Sequence, residues 1–178
     1  MLKKHENIIT KMLSDKDIRT SKVGYHEGFY YATDGYRIVR FHDRIENVPM
    51  FKSTDKQFEY LHQYQTAYED DYDSIEIPYT IEQIKSWIKA YRKIDKTLIM
   101  PFKLGETIHP DGIPIWVGIN PYYLIDAMET TQSNLIHIPH EGRVLLMKNE
   151  NFTWLISPIA LQGYEKDKHM TKIENNKQ

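Results

Sequence analysis

The tripeptide His26-Glu27-Gly28 recurs as His140-Glu141-Gly142, and each copy holds the same place in the same succession of elements. A stretch of helical spacing and one β-like run precede it; two more β-like runs follow. The order α-β-β-β thus occurs in residues 6–41 and again in residues 120–159. A unit of this size cannot bury its apolar face alone, so a duplicated pair implies sheet layered against helix with pseudo-symmetry. The fold class expected is α+β, with antiparallel sheets packed on amphipathic helices.

The pattern in detail gives the boundaries. Ile8, Ile9, Met12 and Leu13 recur at helical spacing in residues 6–14, with Lys4 and Lys11 away from them. Strands are expected at 20–25, 29–33 and 36–41, separated by the His26-Glu27-Gly28 and Asp34-Gly35 turns. Residues 43–73 are polar and Tyr-rich, with Pro49 early and Glu69-Asp70-Asp71 late; they read as an insertion with a helix around 55–68. A strand at 75–79 runs into a second helix, where Thr80 and Gln83 have capping-box spacing. There Ile81, Ile84, Trp87, Ile88 and Tyr91 share one face, and Lys85, Lys89, Arg92, Lys93 and Lys96 another. Strands at 97–102 and 114–119 flank a loop rich in Gly and Pro. A third helix starts with Asn120 as N-cap and Pro121 in the first turn, burying Tyr123, Leu124, Ala127 and Met128. Strands at 135–138, 144–147 and 152–156 complete the second unit, leaving residues 164–178 as a charged tail expected to be disordered.

Several function classes are disfavoured by composition. The 178 residues include no cysteine, which removes disulfides, thiol nucleophiles and cysteine-based metal sites, and suits a reducing, cytoplasmic setting. Met1-Leu2-Lys3-Lys4-His5-Glu6 is charged with no apolar run behind it, so neither secretion nor a membrane is expected. With 23 basic residues against 25 acidic, overall charge does not attract nucleic acid, although a local basic stripe on an acidic body suits sliding along DNA. No nucleophile elbow, P-loop or dinucleotide fingerprint is present, and no cofactor is implied.

Ala32-Thr33-Asp34-Gly35-Tyr36-Arg37-Ile38 resembles the ATDGHRL signature of bacterial DNA sliding clamps, the beta subunit of DNA polymerase III, with Tyr36 where the signature has His. Residues 118–128, Gly-Ile-Asn-Pro-Tyr-Tyr-Leu-Ile-Asp-Ala-Met, resemble the strand-to-helix junction of the clamp's last domain. Leu155-Ile156-Ser157-Pro158-Ile159-Ala160-Leu161 is similar to that family's C-terminal segment, and Ile75-Glu76-Ile77-Pro78 to a junction in its middle domain. The resemblance implies a clamp-like region over residues 1–163 with the insertion at 43–73, and a non-enzymatic role in replication as a processivity or peptide-binding module. In clamps the first and last motifs form a pocket for short peptide motifs of replication proteins. Carried over, the pocket residues are Thr33, Gly35, Tyr36, Arg37 and Ile38 with Leu155, Ser157, Pro158 and Ile159. An apolar floor of Ile38, Leu155 and Ile159 would bury a Leu or Phe anchor, with Arg37 at the rim for a carbonyl or carboxylate. Lys4, Lys11, Lys85, Lys89, Arg92 and Lys93 would face double-stranded DNA, and encirclement would require closure of a homo-oligomeric ring.

Two other readings stand beside this one. A phage or mobile-element clamp mimic would keep the fold and modulate host replication by occupying clamp-binding peptides or a clamp-like partner; shortness and the acidic cluster favour it. A small hydrolase or nuclease would use His109, Asp111, His137 and His140, which must then converge in a cleft. The same histidines are not spaced as metal ligands on one helical face, and no metal is expected.

Overall fold

The computed structural model describes residues 1–14, 22–46, 50, 72–91, 99–108, 114–139 and 144–161. The helix expected at 55–68, most of the insertion, the second His-Glu-Gly turn and the charged tail lie outside these residues. Helix α1 (Lys3–Ser14) leads into strands β1 (Lys22–His26), β2 (Phe29–Thr33) and β3 (Arg37–Phe41), an antiparallel meander. The tight β1–β2 turn places Glu27 at φ 49° and Gly28 at φ 88°. Two successive positive φ values match the twist of a two-residue hairpin, and glycine adopts the second without penalty. Strand β4 (Tyr72–Glu76), helix α2 (Ile81–Tyr91) and strands β5 (Met100–Ile108) and β6 (Pro114–Ile119) follow. Helix α3 (Pro121–Thr131) then precedes the second meander, β7 (Leu135–Pro139), β8 (Leu145–Lys148) and β9 (Phe152–Ile156), and the short strand β10 (Ile159–Ala160) closes the series.

Seven strands form one sheet in the order β1-β2-β3-β9-β8-β7-β4, and three form a second in the order β10-β6-β5. The two meanders run β1-β2-β3 and β7-β8-β9, and their last strands pair antiparallel with Val39 opposite Trp154. The two meanders therefore run outward in the same order from the β3–β9 ladder, in keeping with the repeated order of elements in the sequence.

Period-2 alternation sends neighbouring residues to opposite faces of the large sheet. Val39, Phe41, Trp154, Ile156 and Met147 join the helices in the main core, to which β5 and β6 add Met100, Val117 and Ile119. Ile38, Leu146 and Leu155 point to the other face and pack with Tyr31 and Val144 in a separate buried cluster. From the helices, Ile9 and Met12 of α1 and Ile84 and Trp87 of α2 enter the main core.

Three boundaries and the burial of one helix differ from the sequence pattern, each for a local reason. Helix α1 begins earlier, because the Leu2 carbonyl accepts from His5 and Glu6 N–H (2.9 and 3.2 Å) and His5 packs edge-on against Phe152. Strand β4 stops at Glu76: Ile77 N–H turns to the Asn134 carbonyl at 2.7 Å, and Pro78 has no N–H to continue a ladder. Strand β5 extends to Ile108 across a register irregularity after Lys103, where a loop was expected. Helix α3 lies against both α1 and α2, so Ile125, Thr130 and Thr131 are buried as well as Leu124, Ala127 and Met128. Its start is as expected, with Asn120 Oδ1 accepting from Tyr122 N–H at 3.0 Å.

Candidate functional site

The Thr33–Arg37 turn is built by its own side chains. Asp34 Oδ1 accepts from the N–H groups of Tyr36 and Arg37 at 3.0 and 3.1 Å, an Asx turn. Thr33 Oγ1 accepts from Gly35 N–H at 3.0 Å and donates to the Arg37 carbonyl at 2.8 Å, while Gly35 takes φ 90°. The result holds Tyr36 outward, 61% exposed.

The end segment lies directly beside this turn. Ile38 pairs with Leu155 and Arg37 with Ile156, and Ser157 N–H continues the contact to the Tyr36 carbonyl at 3.0 Å. Pro158 then redirects the chain into β10, which joins the second sheet opposite Gly118 and leaves Ile159 51% exposed. Ser157 thus lies against the Tyr36 turn, and Pro158 and Ile159 follow it where the chain passes from one sheet to the other. Ile38 and Leu155 are buried with Tyr31 and Leu146, so the exposed large apolar side chains of the two motifs are Tyr36 and Ile159.

Arg37 is not at the rim. Only 6% exposed, its guanidinium donates from Nε to Asp34 Oδ2 at 3.0 Å and from Nη1 to Asp126 Oδ2 at 2.6 Å. It also lies 4.3 Å from the Tyr123 ring centre and 5.5 Å from that of Trp154. A buried cation needs paired carboxylates, and the sequence supplies one in the turn itself and one on α3. Arg37 therefore ties the exposed turn to the helix layer. The same region holds Trp154 Nε1 donating to Thr130 Oγ1 at 2.7 Å, with that hydroxyl donating to the Asp126 carbonyl at 2.8 Å. Burial raises the Asp126 carboxyl above its ordinary value, with Arg37 pulling the other way. Burial, followed by the charge of Asp34, likewise raises the Tyr123 phenol. Asp126 and Tyr123 lie in the 118–128 segment but were not among the residues assigned to a site from sequence; their i, i+3 spacing on α3 is the one local signal that they share a face.

Of the lysines expected to face DNA, four line one groove of 930 Å³ across the helix layer: Lys4 and Lys11 from α1, Lys85 and Lys89 from α2. Ile8, Ile88, Ile125 and Tyr122 form its apolar part, and Asp126 and Glu129 its acidic part. Lys85 reaches Glu129 at 2.7 Å and Lys4 reaches it at 3.4 Å. Burial opposes ionisation of Glu129, but those two lysines hold its carboxyl below the ordinary range. Arg92 and Lys93 lie outside the described residues.

Of the histidine-based quartet, only His137 is described. It sits in β7 with Nδ1 2.8 Å from Ser74 Oγ, opposite Leu146. His109, Asp111 and His140 lie outside the described residues. Among the described residues no group of three or more His, Asp or Glu is arranged to hold a metal ion, and no helix is long and apolar enough to cross a membrane.

No family model matches the sequence, and no curated protein matches it. Solved structures do match the fold. Residues covering 88% of this chain superpose on 63% of the DNA polymerase III beta subunit of Thermotoga maritima, with a TM-score of 0.52 at 13% identity. The fold is that of the sliding clamps. A DNA polymerase III beta subunit from Eubacterium rectale gives the same picture, with a TM-score of 0.50, 12% identity and 88% and 63% of the two chains covered. The chain spans less than two thirds of either clamp, so the whole clamp's assembly does not transfer with the fold.

Proposed function

We propose that this chain is a non-catalytic, clamp-fold binding module that takes short peptides of replication proteins on the surface of Tyr36, Ser157, Pro158 and Ile159. The observation that carries the reading is the junction itself. Two motifs more than a hundred residues apart in sequence are brought side by side through the β3–β9 ladder and the Ser157 N–H bond to Tyr36. Large exposed apolar side chains at a sheet junction are what a peptide's Leu or Phe anchor covers. Burying such an anchor contributes about 1.5–3 kcal/mol, so its loss weakens binding about tenfold or more. Thr33, Arg37, Ile38 and Leu155 act here by holding the surface in shape. The four lysines of the helix groove are the residues that double-stranded DNA would meet in such a module.

Titration of a labelled clamp-binding peptide against wild type and Ile159→Asp tests the proposal. Binding that disappears in the variant and changes little between low and high salt supports an apolar peptide site. No binding by the wild type, or equal binding by Ile159→Asp, refutes it.

A further inference from the structure

Arg37 is neutralised within its own turn. Asp34 Oδ2 accepts from Arg37 Nε at 3.0 Å, and both side chains are largely buried. The second carboxylate, Asp126, is therefore not needed for charge balance. It comes from α3, eighty-nine residues away, to 2.6 Å from Nη1, and it makes the three-residue cluster net negative. Burial raises its carboxyl above the ordinary value, while Arg37 and then Lys11 pull it down and Glu129 pushes it up. A carboxylate held where its charge is disfavoured, beside a cation already paired, supplies position and not neutrality.

The position in question is that of the Thr33–Arg37 turn. Asp34 uses both oxygens: Oδ1 takes the N–H groups of Tyr36 and Arg37 at 3.0 and 3.1 Å, and Oδ2 takes the guanidinium. Where the guanidinium sits, Asp34 and the turn backbone follow. The tip of the turn is exposed at Gly35 and Tyr36, with the Ser157 N–H bond on one side and Arg37 on the other. The guanidinium is fixed from α3, by Asp126 and by the Tyr123 ring at 4.3 Å. Helix α3 is a firm base, because Leu124, Ala127 and Met128 are buried in the main core and Trp154 bonds to Thr130. A continuous series of charge-assisted bonds thus leads from α3 to the backbone of Tyr36. Its outer end opens to the helix groove, where the Asp126 side chain is 22% exposed. The charged groups around it there are Lys4 and Lys11 of α1, Lys85 and Lys89 of α2, and Glu129.

We infer that Asp126, which belongs to neither end motif, is a positioning residue of the Tyr36 surface: through Arg37 it sets the pose of the turn and thereby the affinity for peptide. The inference rests on the peptide reading of that surface. It makes affinity there answer to the charge of one carboxylate on the helix face.

The test titrates the full chain with a labelled clamp-binding peptide and completes a double-mutant cycle of Asp126→Ala, Arg37→Met and both together. Each single substitution should weaken binding about fivefold, and the double variant should bind no more weakly than Arg37→Met, because Asp126 acts through the guanidinium. Asp126→Asn keeps the shape, removes the charge and should weaken binding as well. Wild-type affinity should fall as pH is lowered from about 7 to about 4 and Asp126 takes up its proton, a fall that Asp126→Asn lacks. In the free chain, the amide resonances of residues 34–37 should shift in Asp126→Ala, and matched thermal unfolding verifies that the variants fold. Wild-type affinity in Asp126→Ala, additive losses in the double variant, equal pH profiles for wild type and Asp126→Asn, or unmoved amides at 34–37 each overturn the inference. Peptide binding that Ile159→Asp abolishes would then still leave the surface standing. Failure of the wild type to bind peptide removes the surface and the inference together.

Discussion

Replacing Arg37 by Met keeps the length and the stacking on Tyr123 while removing the charge, and so isolates what the guanidinium does. Two carboxylates lose a partner unequally. Asp34 keeps its bonds from Tyr36 and Arg37 N–H through Oδ1, whereas Asp126 loses a 2.6 Å charge-assisted bond in a site where its side chain is 22% exposed. Breaking a buried ion pair by removing one partner costs about 3–5 kcal/mol; the partial exposure of Asp126 places this case near the lower end, about 3 kcal/mol. For a chain of this size each 1 kcal/mol lowers Tm by about 2–4 °C, so a fall of about 6–12 °C is expected. Arg37→Lys, which retains charge but loses the fork geometry, should fall between wild type and Arg37→Met. Calorimetry or urea unfolding at constant pH measures both. A loss below about 1 kcal/mol for Arg37→Met would refute the view that this pair anchors the turn to α3, since that is the range of an exposed ion pair.

Three further outcomes follow from the packing. Gly118→Ala should cost about 1–3 kcal/mol in thermal unfolding, because an added Cβ collides with the Ile99 side chain and presses on Leu161 at 3.2 Å. Thr130→Val leaves the buried Trp154 Nε1 without its acceptor and should cost about 1–3 kcal/mol by urea denaturation, whereas Thr130→Ser should be near neutral. Burial lowers the pKa of His5, with Lys4 adding to it, and of His137, with Lys148 adding to it, from the ordinary 6.5. A histidine with a depressed folded pKa contributes stability that is present above pH 6.5 and lost as pH falls toward the folded value, because the unfolded chain takes the proton first. Unfolding midpoints should therefore drop between pH 7 and 5, and His5→Gln together with His137→Gln should flatten the profile.

Much of the fold was legible because it rests on periodicity and caps. The α-β-β-β repeat, the Thr80–Gln83 box, with bonds of 2.8 and 3.2 Å, and the Asn120-Pro121 start are local signals that the structure reproduces. The adjacency of residues 36–38 and 155–157 followed from family resemblance and not from any local pattern; the β3–β9 ladder that creates it joins residues over a hundred positions apart. What could not be read was direction. The signature arginine looked like a surface ligand, yet β-strand alternation and two carboxylates, one of them eighty-nine residues away, draw it inward. The grouping of Lys4 and Lys11 with Lys85 and Lys89 depended on α3 lying between α1 and α2, a packing order that sequence periodicity does not encode. Helix α3 itself looked one-sided because Thr130 and Thr131 count as polar, although both satisfy their hydroxyls on the Ala127 carbonyl and are buried.

The central claim, that the end-motif junction is a peptide site, is tested most directly by amide chemical-shift mapping of the isotope-labelled chain during titration with a clamp-binding peptide. The account predicts saturable shifts at residues 34–38 and 155–160, lost in Ile159→Asp, with helices α1 and α2 unaffected. Shifts confined to the helix groove, or no shifts at saturating peptide, would contradict it.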